Sequence, residues 1–346
     1  MGPADGPVCV TGASGYVAAH VVERLLARGY RVRGTVRDPG RTSSVAHLKA
    51  MAGAAERLEL VRADLMEDGS FDAAVAGCVS VLHVASPYVL DVADPQRDLV
   101  DPAVHGTRTV LASCERAGTV KRVVVTSSVA AITDEPDESH ELTEADWNTK
   151  STLTRNPYYL SKVLAEKEAW AFVEREKPPF DVVVINPFVI IGPSHTNAIN
   201  GSVNVVRNAL NGVFPVIFRL CWGIVDVRDV ADAHIAAIET PAASGRYICA
   251  AEVVCMPELV RILADAGYGH RVPRISMMGS FGTSLMRVAA LFQPSGTRVY
   301  LQTHLGRKPK FDNGKIRREL GVTFRQARDS IMDTARDLER WGHIRR

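Results

Sequence analysis

The sequence predicts an α/β fold in which a doubly wound parallel sheet is followed by a smaller C-terminal lobe. Short runs rich in valine and isoleucine alternate with helical patterns from residue 7 to residue 185, and the first run leads directly into a glycine-containing turn. Strands separated by helices of this length form right-handed βαβ units, in which the strands are parallel. Near-continuous apolar runs are typical of strands buried on both faces of such a sheet.

These patterns predict the elements in order. Strands are expected at residues 8–11, 31–36, 58–61, 79–84, 123–125 and 181–185. Helices are expected at residues 16–28, 98–117 and 156–176, and then at 203–210, 230–238, 257–266 and 326–341 after the rhythm changes at Pro187. We therefore predict that residues 1–190, with part of 220–250, form the first domain. Residues 191–346 are predicted to form mainly a substrate-binding lobe, interleaved with the first domain.

Composition and charge exclude several classes of protein. The chain has 346 residues, 46% hydrophobic and 23% charged, with a formal net charge of +2. This ordinary globular composition gives no electrostatic reason to expect binding to nucleic acid or to a membrane surface. The N-terminus shows no signal-peptide pattern, and the most apolar stretch, residues 182–191, is too short to span a bilayer. We expect a cytoplasmic protein that is a monomer or a homodimer.

The cysteines and histidines give no sign of a disulfide framework or a metal centre. Six cysteines stand at positions 9, 78, 114, 221, 249 and 255, without C-x-x-C spacing, and several lie in or beside apolar runs. Buried free thiols in a reducing compartment are the preferred interpretation. The ten histidines are scattered and show no H-x-x-x-H pair, so no metal site is predicted.

The turn after the first strand has the features of a dinucleotide-binding turn. Gly12 permits a tight turn, Gly15 permits close approach of a pyrophosphate, and Ala18 is small enough for close packing of helix on strand. The helix that follows offers free N–H groups and a positive dipole end. An ordinary glycine turn is the alternative, but its position at the first βα junction favours a Rossmann-type nucleotide site.

The end of the second strand indicates which dinucleotide is bound. An NAD site places Asp or Glu there for the ribose 2′-hydroxyl, whereas this strand ends at Arg37, with Arg33 and Arg41 nearby. A guanidinium can pair with a 2′-phosphate, and Asp38 comes too late for the NAD role. Arg37 therefore predicts NADP, although a solvated arginine is the alternative. Asp64 is expected near the adenine, or else as a helix N-cap.

Tyr158 and Lys162 stand at i and i+4, on one face of the predicted helix at residues 156–176. A tyrosine with an ordinary pKa of about 10 is a poor acid–base catalyst at neutral pH, and a nearby ammonium lowers that pKa. We interpret Tyr158 as the proton donor and Lys162 as its electrostatic partner. Tyr159 lacks the lysine at i+4.

A second element supports this pair, because the strand at residues 123–125 ends in Thr126, Ser127 and Ser128. Open α/β sheets bind ligands at the carboxyl ends of their strands, and a serine there can donate a hydrogen bond to a carbonyl oxygen as charge develops on it. Ser127 and Ser128 point to opposite sides of an extended backbone, so only one can do this. We select Ser128; turn capping is the alternative for either serine.

Together these motifs resemble the extended short-chain dehydrogenases, and the dihydroflavonol reductase and aldehyde (methylglyoxal-type carbonyl) reductase branch is the most similar. The resemblance is carried by TGASGYVAAHVVERLLARGYRVRGTVRD (11–38), VVVTSSVAA (123–131), YYLSKVLAEKEAWAF (158–172) and NPFVIIGP (186–193). It implies NADPH-linked reduction of aldehydes or ketones to alcohols. The residues then expected to bind the cofactor are Gly12, Ser14, Gly15, Tyr16, Val17, Arg37, Asp64, Leu65, Val84, Ala85, Ser86, Thr126, Ser127, Tyr158, Lys162, Pro187 and Val189.

The sequence departs from the family's pattern at two places. Family members usually carry Asn at the position of His105, where it supports a proton relay to the lysine; the histidine is either a substitute in that relay or a structural residue. The Asn-Trp-Cys-Tyr-like signature of cinnamoyl-CoA reductases is absent, because residues 156–159 read Asn-Pro-Tyr-Tyr. The resemblance therefore disfavours a CoA-thioester substrate.

The predicted substrate contacts are mostly apolar, which indicates a hydrophobic or aromatic carbonyl compound. They are Ser86, Tyr88, Val129, Phe188 and Trp222, although Phe188 and Trp222 can equally be core residues. Two other functions stay open: an NAD-dependent nucleotide-sugar epimerase or dehydratase, and a non-enzymatic NADP-sensing protein. Arg37 and the apolar lobe argue against the first, and the presence of both Tyr158 and Lys162 argues against the second.

Overall fold

The structure is a computed structural model that describes residues 1–86, 92–293 and 295–344. Its strands are β1 (Val8–Val10), β2 (Val32–Val36), β3 (Leu58–Arg62), β4 (Ser80–His83), β5 (Arg122–Thr126), β6 (Glu141–Leu142), β7 (Asp181–Pro187), β8 (Val189–Ile191), β9 (Cys221–Asp226), β10 (Gly245–Cys249), β11 (Glu252–Cys255) and β12 (Lys310–Phe311).

Thirteen α-helices are described within these ranges. They are α1 (Tyr16–Ala27), α2 (Thr42–Lys49), α3 (Ala54–Arg57), α4 (Asp72–Val75), α5 (Asp101–Ala117), α6 (Pro157–Glu176), α7 (Val203–Leu210), α8 (Val227–Glu239), α9 (Met256–Leu263), α10 (Ser280–Ala290), α11 (Ser295–His304), α12 (Gly314–Leu320) and α13 (Ala327–Arg340). Short π-helical segments at Gln96–Val100 and Ala264–Tyr268 adjoin α5 and α9, and a 3₁₀ turn lies at Val129–Ala131.

The central sheet has seven strands in the order β10-β7-β5-β4-β1-β2-β3, and every adjacent pair is parallel. The strand order reverses between β1 and β4, and such a switch point forms a crevice at the carboxyl ends of the strands. The prediction of a doubly wound, Rossmann-type sheet is confirmed.

Helices cover both faces of this sheet, as the apolar strands require. On one face Val10 and Val124 pack with α1 and α8, while on the other Cys9 and Val123 pack with α5 and α6. Successive strand residues point to opposite faces, so each strand contributes to both cores. The sheet is therefore fixed by burial on both sides, and its carboxyl edge is left to carry polar residues.

The C-terminal lobe is built on a three-stranded sheet in the order β11-β9-β8. Its core includes Trp222 and Ile224 of β9 and the buried faces of α7, α9 and α13. Although β10 follows β9 along the chain, it joins the large sheet instead. The domain division proposed above stays a prediction. No helix in the described residues is long and apolar enough to cross a membrane.

The prediction of free thiols is correct for Cys9, Cys78, Cys114 and Cys249, which are buried and unpaired. It is wrong for the other two, because Cys221 and Cys255 form a disulfide. These residues are directly opposite each other in the antiparallel pair β9–β11, with Cα atoms 3.9 Å apart. Their separation along the chain gives no sign of this register, which only strand pairing creates.

Candidate active site

The glycine turn is shaped by close contact with the end of β4. Gly12 has a φ of +64°, and a Cβ at this position would lie 3.0 Å from the Cβ of Ala85. The Gly12 N–H donates to Thr35 Oγ1 at 3.0 Å. At Gly15, the N-cap of α1, a Cβ would lie 3.1 Å from the carbonyl oxygen of Gly12. The positive φ favours glycine at position 12, and a Cβ at position 15 would make a tight contact with the Gly12 carbonyl oxygen. The turn leads into the first N–H groups of α1, among them those of Tyr16 and Val17.

The N-terminus of α1 receives no side-chain cap from the residues that the structure describes. Ser14 lies in the turn before it. The Tyr16 hydroxyl donates to the carbonyl oxygen of Gly192 at 2.9 Å. A helix N-terminus with free N–H groups behind a narrow glycine turn is a suitable cradle for a pyrophosphate. The residues present therefore fit a dinucleotide at this position.

The arginines near the end of β2 have different roles. Arg33 donates to Glu59 at 2.9 Å and to the carbonyl oxygens of Ala73, Ala74 and Ala76, so its guanidinium is used within the fold. Arg37 is exposed directly after β2. The Asp38 carboxylate accepts the Gly40 N–H at 2.9 Å within a turn. Arg37, rather than Arg33, therefore has the side chain that is suited to a 2′-phosphate.

Asp64 caps no helix, because the next helix, α4, begins at Asp72 with Phe71 as its N-cap; the Asp64 side chain closes a turn instead. Its Oδ1 accepts the Met66 N–H at 2.9 Å, two residues further on. Leu65 lies against α5, where a Cβ at Gly106 would come within 2.9 Å of the Leu65 Cβ. The segment is thus held in place by a capped turn and by close packing on Gly106.

A buried threonine and histidine hold the segment after β4. The Thr11 hydroxyl accepts the N–H groups of Val84 at 3.1 Å and Ala85 at 3.0 Å, and lies 3.0 Å from His83 Nδ1. Burial lowers the pKa of His83 to about 4, so the ring is neutral at pH 7 and accepts the threonine proton. Neither residue was predicted from the sequence, and together they position Val84, Ala85 and Ser86.

Lys162 is buried, with 7% of its surface exposed, and lies one turn after Tyr158 on α6. Its Nζ donates to Ser86 Oγ at 2.8 Å and lies 5.7 Å from the centre of the Tyr158 ring. Burial lowers the pKa of the Lys162 ammonium to about 8. The structure therefore brings Tyr158 and Lys162 together, as the i, i+4 spacing predicts, and places Ser86 against the lysine.

The adjacent serines at the end of β5 have separate environments. Ser127 is 7% exposed and donates to Glu166 Oε2 at 2.5 Å. Ser128 is half-buried, and its Oγ accepts the Ala130 N–H at 3.1 Å. This bond uses the acceptor side of the Ser128 hydroxyl and leaves its proton to be donated elsewhere. The geometry favours Ser128 over Ser127 as a carbonyl anchor.

A buried polar network centred on Glu166 lies beside these residues. Glu166 is 1% exposed and also accepts hydrogen bonds from Asn186 Nδ2 at 2.8 Å and from Arg246 Nε at 2.5 Å. Asn186 in turn donates to the Ser128 carbonyl oxygen at 3.2 Å. The sequence reading missed Glu166. One signal was present, since it stands four residues after Lys162 and thus on the same helical face.

Thr126, the last residue of β5, is held by a second buried histidine. Its Oγ1 lies 2.7 Å from Nε2 of His234, and the other ring nitrogen lies 2.7 Å from the Val230 carbonyl oxygen. Burial lowers the pKa of His234 to about 4, so the neutral ring donates to Val230 and accepts from Thr126. Pro187 is buried at the end of β7, and Val189 begins β8.

A small cavity adjoins Lys162 on the side facing α5. Its lining includes Leu65, Ser86, Thr107, Ser127 and Lys162. His105 is not part of this lining. Its Nε2 lies 3.4 Å from Asp68 and 3.3 Å from Thr109. These contacts favour a structural role for His105 over a part in a proton relay.

The residues predicted to contact the substrate lie in different environments. Val129 is half-buried beside the site, and Phe188 is 9% exposed and packs on Phe311, with ring centres 4.8 Å apart. Trp222 is 4% exposed within the core of the lobe, which favours the core interpretation over substrate contact, because β9 is covered on both faces. Tyr88 lies outside the described residues.

Comparison with known proteins identifies the class. Residues 8–250 match the model of the NAD dependent epimerase/dehydratase family. The chain belongs to this family, whose members include the extended short-chain dehydrogenases.

Three individual proteins are similar over much of their length. Cinnamoyl-CoA reductase CAD2 of Medicago truncatula is 46% identical over 268 residues, which is 75% of this chain and 80% of the relative. Dihydroflavonol 4-reductase of Gerbera hybrida is 34% identical over 277 residues, 78% of this chain and 75% of the relative. The solved structure of the yeast methylglyoxal/isovaleraldehyde reductase Gre2 complexed with NADPH has a TM-score of 0.80 and 30% identity, and covers 98% of this chain and 100% of its own. The predicted resemblance to this branch is confirmed.

Proposed function

We propose that the chain is an oxidoreductase that uses NADPH to reduce aldehydes or ketones to alcohols. The observation that carries the proposal is the position of Lys162 at the carboxyl edge of the sheet, bonded to Ser86 and 5.7 Å from the Tyr158 ring. The similar yeast reductase, which is complexed with NADPH, supports the choice of cofactor. The glycine turn and the exposed Arg37 support it independently.

The proposed chemistry assigns one role to each polar group. Bound NADPH supplies the hydride. Ser128 donates a hydrogen bond to the substrate carbonyl oxygen and so stabilises the negative charge that develops there. Tyr158 then gives its hydroxyl proton to that oxygen, and the Lys162 ammonium stabilises the phenolate that remains. Ser86 and the Glu166 network position these groups.

The cofactor is held by two kinds of contact. The free N–H groups in the first turn of α1, reached over the glycines of the preceding turn, accommodate the pyrophosphate, and Arg37 pairs with the 2′-phosphate. We assign Ala85, Thr126, Pro187 and Val189 to the walls beside the nicotinamide half. The apolar residues Val129 and Phe188 suit a hydrophobic or aromatic carbonyl compound.

Reduction of a CoA thioester is a second candidate function. It is favoured by the 46% identity to a protein named cinnamoyl-CoA reductase. The residues directly before Tyr158 do not carry the signature expected for that substrate. The two candidates differ in whether a free carbonyl compound is turned over without CoA.

The test follows oxidation of NADPH, and separately of NADH, with aromatic and aliphatic aldehydes, ketones, ketoesters and cinnamoyl-CoA. We expect turnover of free carbonyl compounds with NADPH, and a loss of about 10²–10⁴-fold in kcat in Tyr158→Phe because the general acid is removed. Tyr159→Phe is the matched control and should retain activity. Turnover of cinnamoyl-CoA alone would transfer the proposal to the second candidate.

A separate variant tests the assignment of NADPH as the cofactor. Arg37→Ser should lower the preference for NADPH over NADH by about tenfold or more, because a charge-assisted bond contributes about 1.5–3 kcal/mol. Arg31→Ser removes an exposed arginine just before the same strand and should leave the preference unchanged. NAD that co-purifies without any turnover would point to an epimerase, and NADP binding without turnover would point to a sensor.

A further inference from the structure

Outside the candidate active site, the structure brings together two histidines and a glutamate from different segments. His20 and Glu23 lie one turn apart on α1, and His195 follows β8. In the described part of the chain, these three residues present ligand atoms that all lie within 4.8 Å of one another. Glu23 Oε2 is 3.7 Å from His20 Nδ1 and 3.5 Å from His195 Nε2.

The orientation of His20 leaves one ring nitrogen directed at this cluster. His20 Nε2 lies 2.9 Å from the carbonyl oxygen of Pro193 and donates to it, so the lone pair of the neutral ring is on Nδ1. His20 is 4% exposed, and Nδ1 is buried with no hydrogen-bond partner among the described residues. His195 Nε2 is also a buried atom without a hydrogen-bond partner among the described residues. Two buried nitrogens without hydrogen bonds are costly unless something else satisfies them.

We propose that His20 Nδ1, His195 Nε2 and Glu23 Oε2 bind a divalent transition metal ion of the Zn²⁺ type. A tetrahedral Zn²⁺ with bonds of about 2.0–2.1 Å holds its ligand atoms about 3.4 Å apart. The separations from Glu23 Oε2 to the two histidine nitrogens, 3.7 and 3.5 Å, are close to this value. Two imidazoles and one carboxylate form a donor set that suits zinc.

The surroundings have the other features of such a site. The bond from His20 to Pro193 is the second contact that orients a ligating histidine and fixes its tautomer. The side chains of Glu23 and His195 are 43% and 23% exposed, which gives an entry path and room for a water as the fourth ligand.

An ion here would connect the dinucleotide-binding helix to the second lobe. His195 lies in the segment that leaves β8, where Gly192 accepts from Tyr16 of α1 and the Ser194 N–H donates to Asp337 of α13. The metal would add a third link between α1 and this segment, besides the hydrogen bonds of Tyr16 to Gly192 and of His20 to Pro193. It would therefore raise the unfolding temperature when bound, because it binds the folded state preferentially.

The experiment titrates the EDTA-treated protein with ZnCl₂ by calorimetry and measures retained zinc by mass spectrometry after dialysis. We expect one equivalent per chain, with affinity reduced about 10–100-fold or more in Glu23→Gln and in His195→Ala. His140→Ala is the matched control: it removes an exposed histidine paired with one carboxylate, Asp146, at 2.9 Å. This control should bind zinc as the wild-type protein does.

A spectroscopic measurement on the unaltered protein keeps the inference testable if a variant folds poorly. Co²⁺ should give the intense visible absorption of a tetrahedral site, and Zn²⁺ should displace it. The inference is overturned if the wild-type protein shows no saturable zinc binding, or if Glu23→Gln and His195→Ala bind as tightly as wild type. Because neither readout measures turnover, failure here is distinct from failure of the reductase proposal.

Discussion

The carboxyl edge of the central sheet buries polar side chains, whereas the outer face of α10 exposes apolar ones. At the sheet edge, Ser127 and Glu166 are almost fully buried and bonded to each other. On α10 and just after it, large apolar side chains face the solvent: Phe281 and Phe292 are each 84% exposed, and Leu285, Val288 and Leu291 are also exposed. Within α10 only Gly282 and Ala290 are buried.

This difference shows in which parts of the molecule a displaced side chain raises the free energy strongly and in which it does not. At the sheet edge, displacing one polar group leaves its buried partner without a hydrogen bond, so the groups fix one another. On α10, a large side chain that changes position loses little, because it has little buried surface to lose. A reaction that requires fixed side-chain positions is therefore expected at the carboxyl edge of the sheet and not on α10. Four predictions test this difference between the two regions.

The largest effect is expected from Glu166→Gln. The substitution removes the charge that compensates Arg246, whose side chain is only 7% exposed. We expect a loss of about 3–5 kcal/mol in the free energy of unfolding, because an uncompensated buried charge is left behind. Urea denaturation measures it, and Glu174→Gln, an exposed position on the same helix, is the control. Equal effects of the two substitutions would contradict the network.

Substitution of Ser128 is expected mainly to lower activity, and substitution of Ser127 mainly to lower stability. Ser128→Ala is expected to lower kcat by about 10²–10³-fold, since it removes one donor to the carbonyl oxygen, and to cost no more than about 1 kcal/mol of stability, the cost of one lost turn cap. Ser127→Ala should instead cost about 1–3 kcal/mol of stability, because the Glu166 carboxylate loses a partner. Turnover and urea denaturation are measured for both. The assignment of Ser128 fails if Ser127→Ala is the more severe change in kcat.

The pH profile reports on the Lys162 ammonium, whose pKa burial lowers to about 8. Below pH 8 the side chain is charged and can stabilise the Tyr158 phenolate; above it the charge is lost. The value of kcat/KM for reduction should therefore fall about tenfold per pH unit above pH 8. In Lys162→Arg, whose guanidinium stays charged, this alkaline limb should disappear from whatever activity survives. A limb that persists unchanged in the arginine variant would assign it to another group.

The smallest effect is expected on the outer face of α10. Phe281→Ser should change the free energy of unfolding by less than about 0.5 kcal/mol, because the side chain is 84% exposed. The comparison is Phe172→Ala in α6, which is 3% exposed and should cost about 3–5 kcal/mol. Thermal or urea unfolding measures both. A large loss in Phe281→Ser would show that the face is covered in solution.

Much of the structure up to residue 187 was predictable because local patterns coincide with its strands and helices. The strands at residues 8–10, 32–36, 58–62 and 80–83 overlap the strands predicted from short runs with apolar or β-branched residues, and α1 and α6 begin at or within one residue of their predicted starts. The C-terminal lobe was harder. Helices α10 and α11 and the sheet of β8, β9 and β11 were not predicted, because short apolar runs there fit either a strand or a buried helix.

The sequence by itself determined the alternation of strands and helices that predicts a doubly wound sheet, the glycine turn and the pairing of Tyr158 with Lys162, because each is read from residues close together in the chain. Only the tertiary structure decided which serine stays available, how Glu166 and Arg246 meet, and that Cys221 faces Cys255. It also decided that His20 and Glu23 meet His195. Such contacts join segments far apart in sequence, and their geometry depends on strand register and helix packing, which no local spacing encodes.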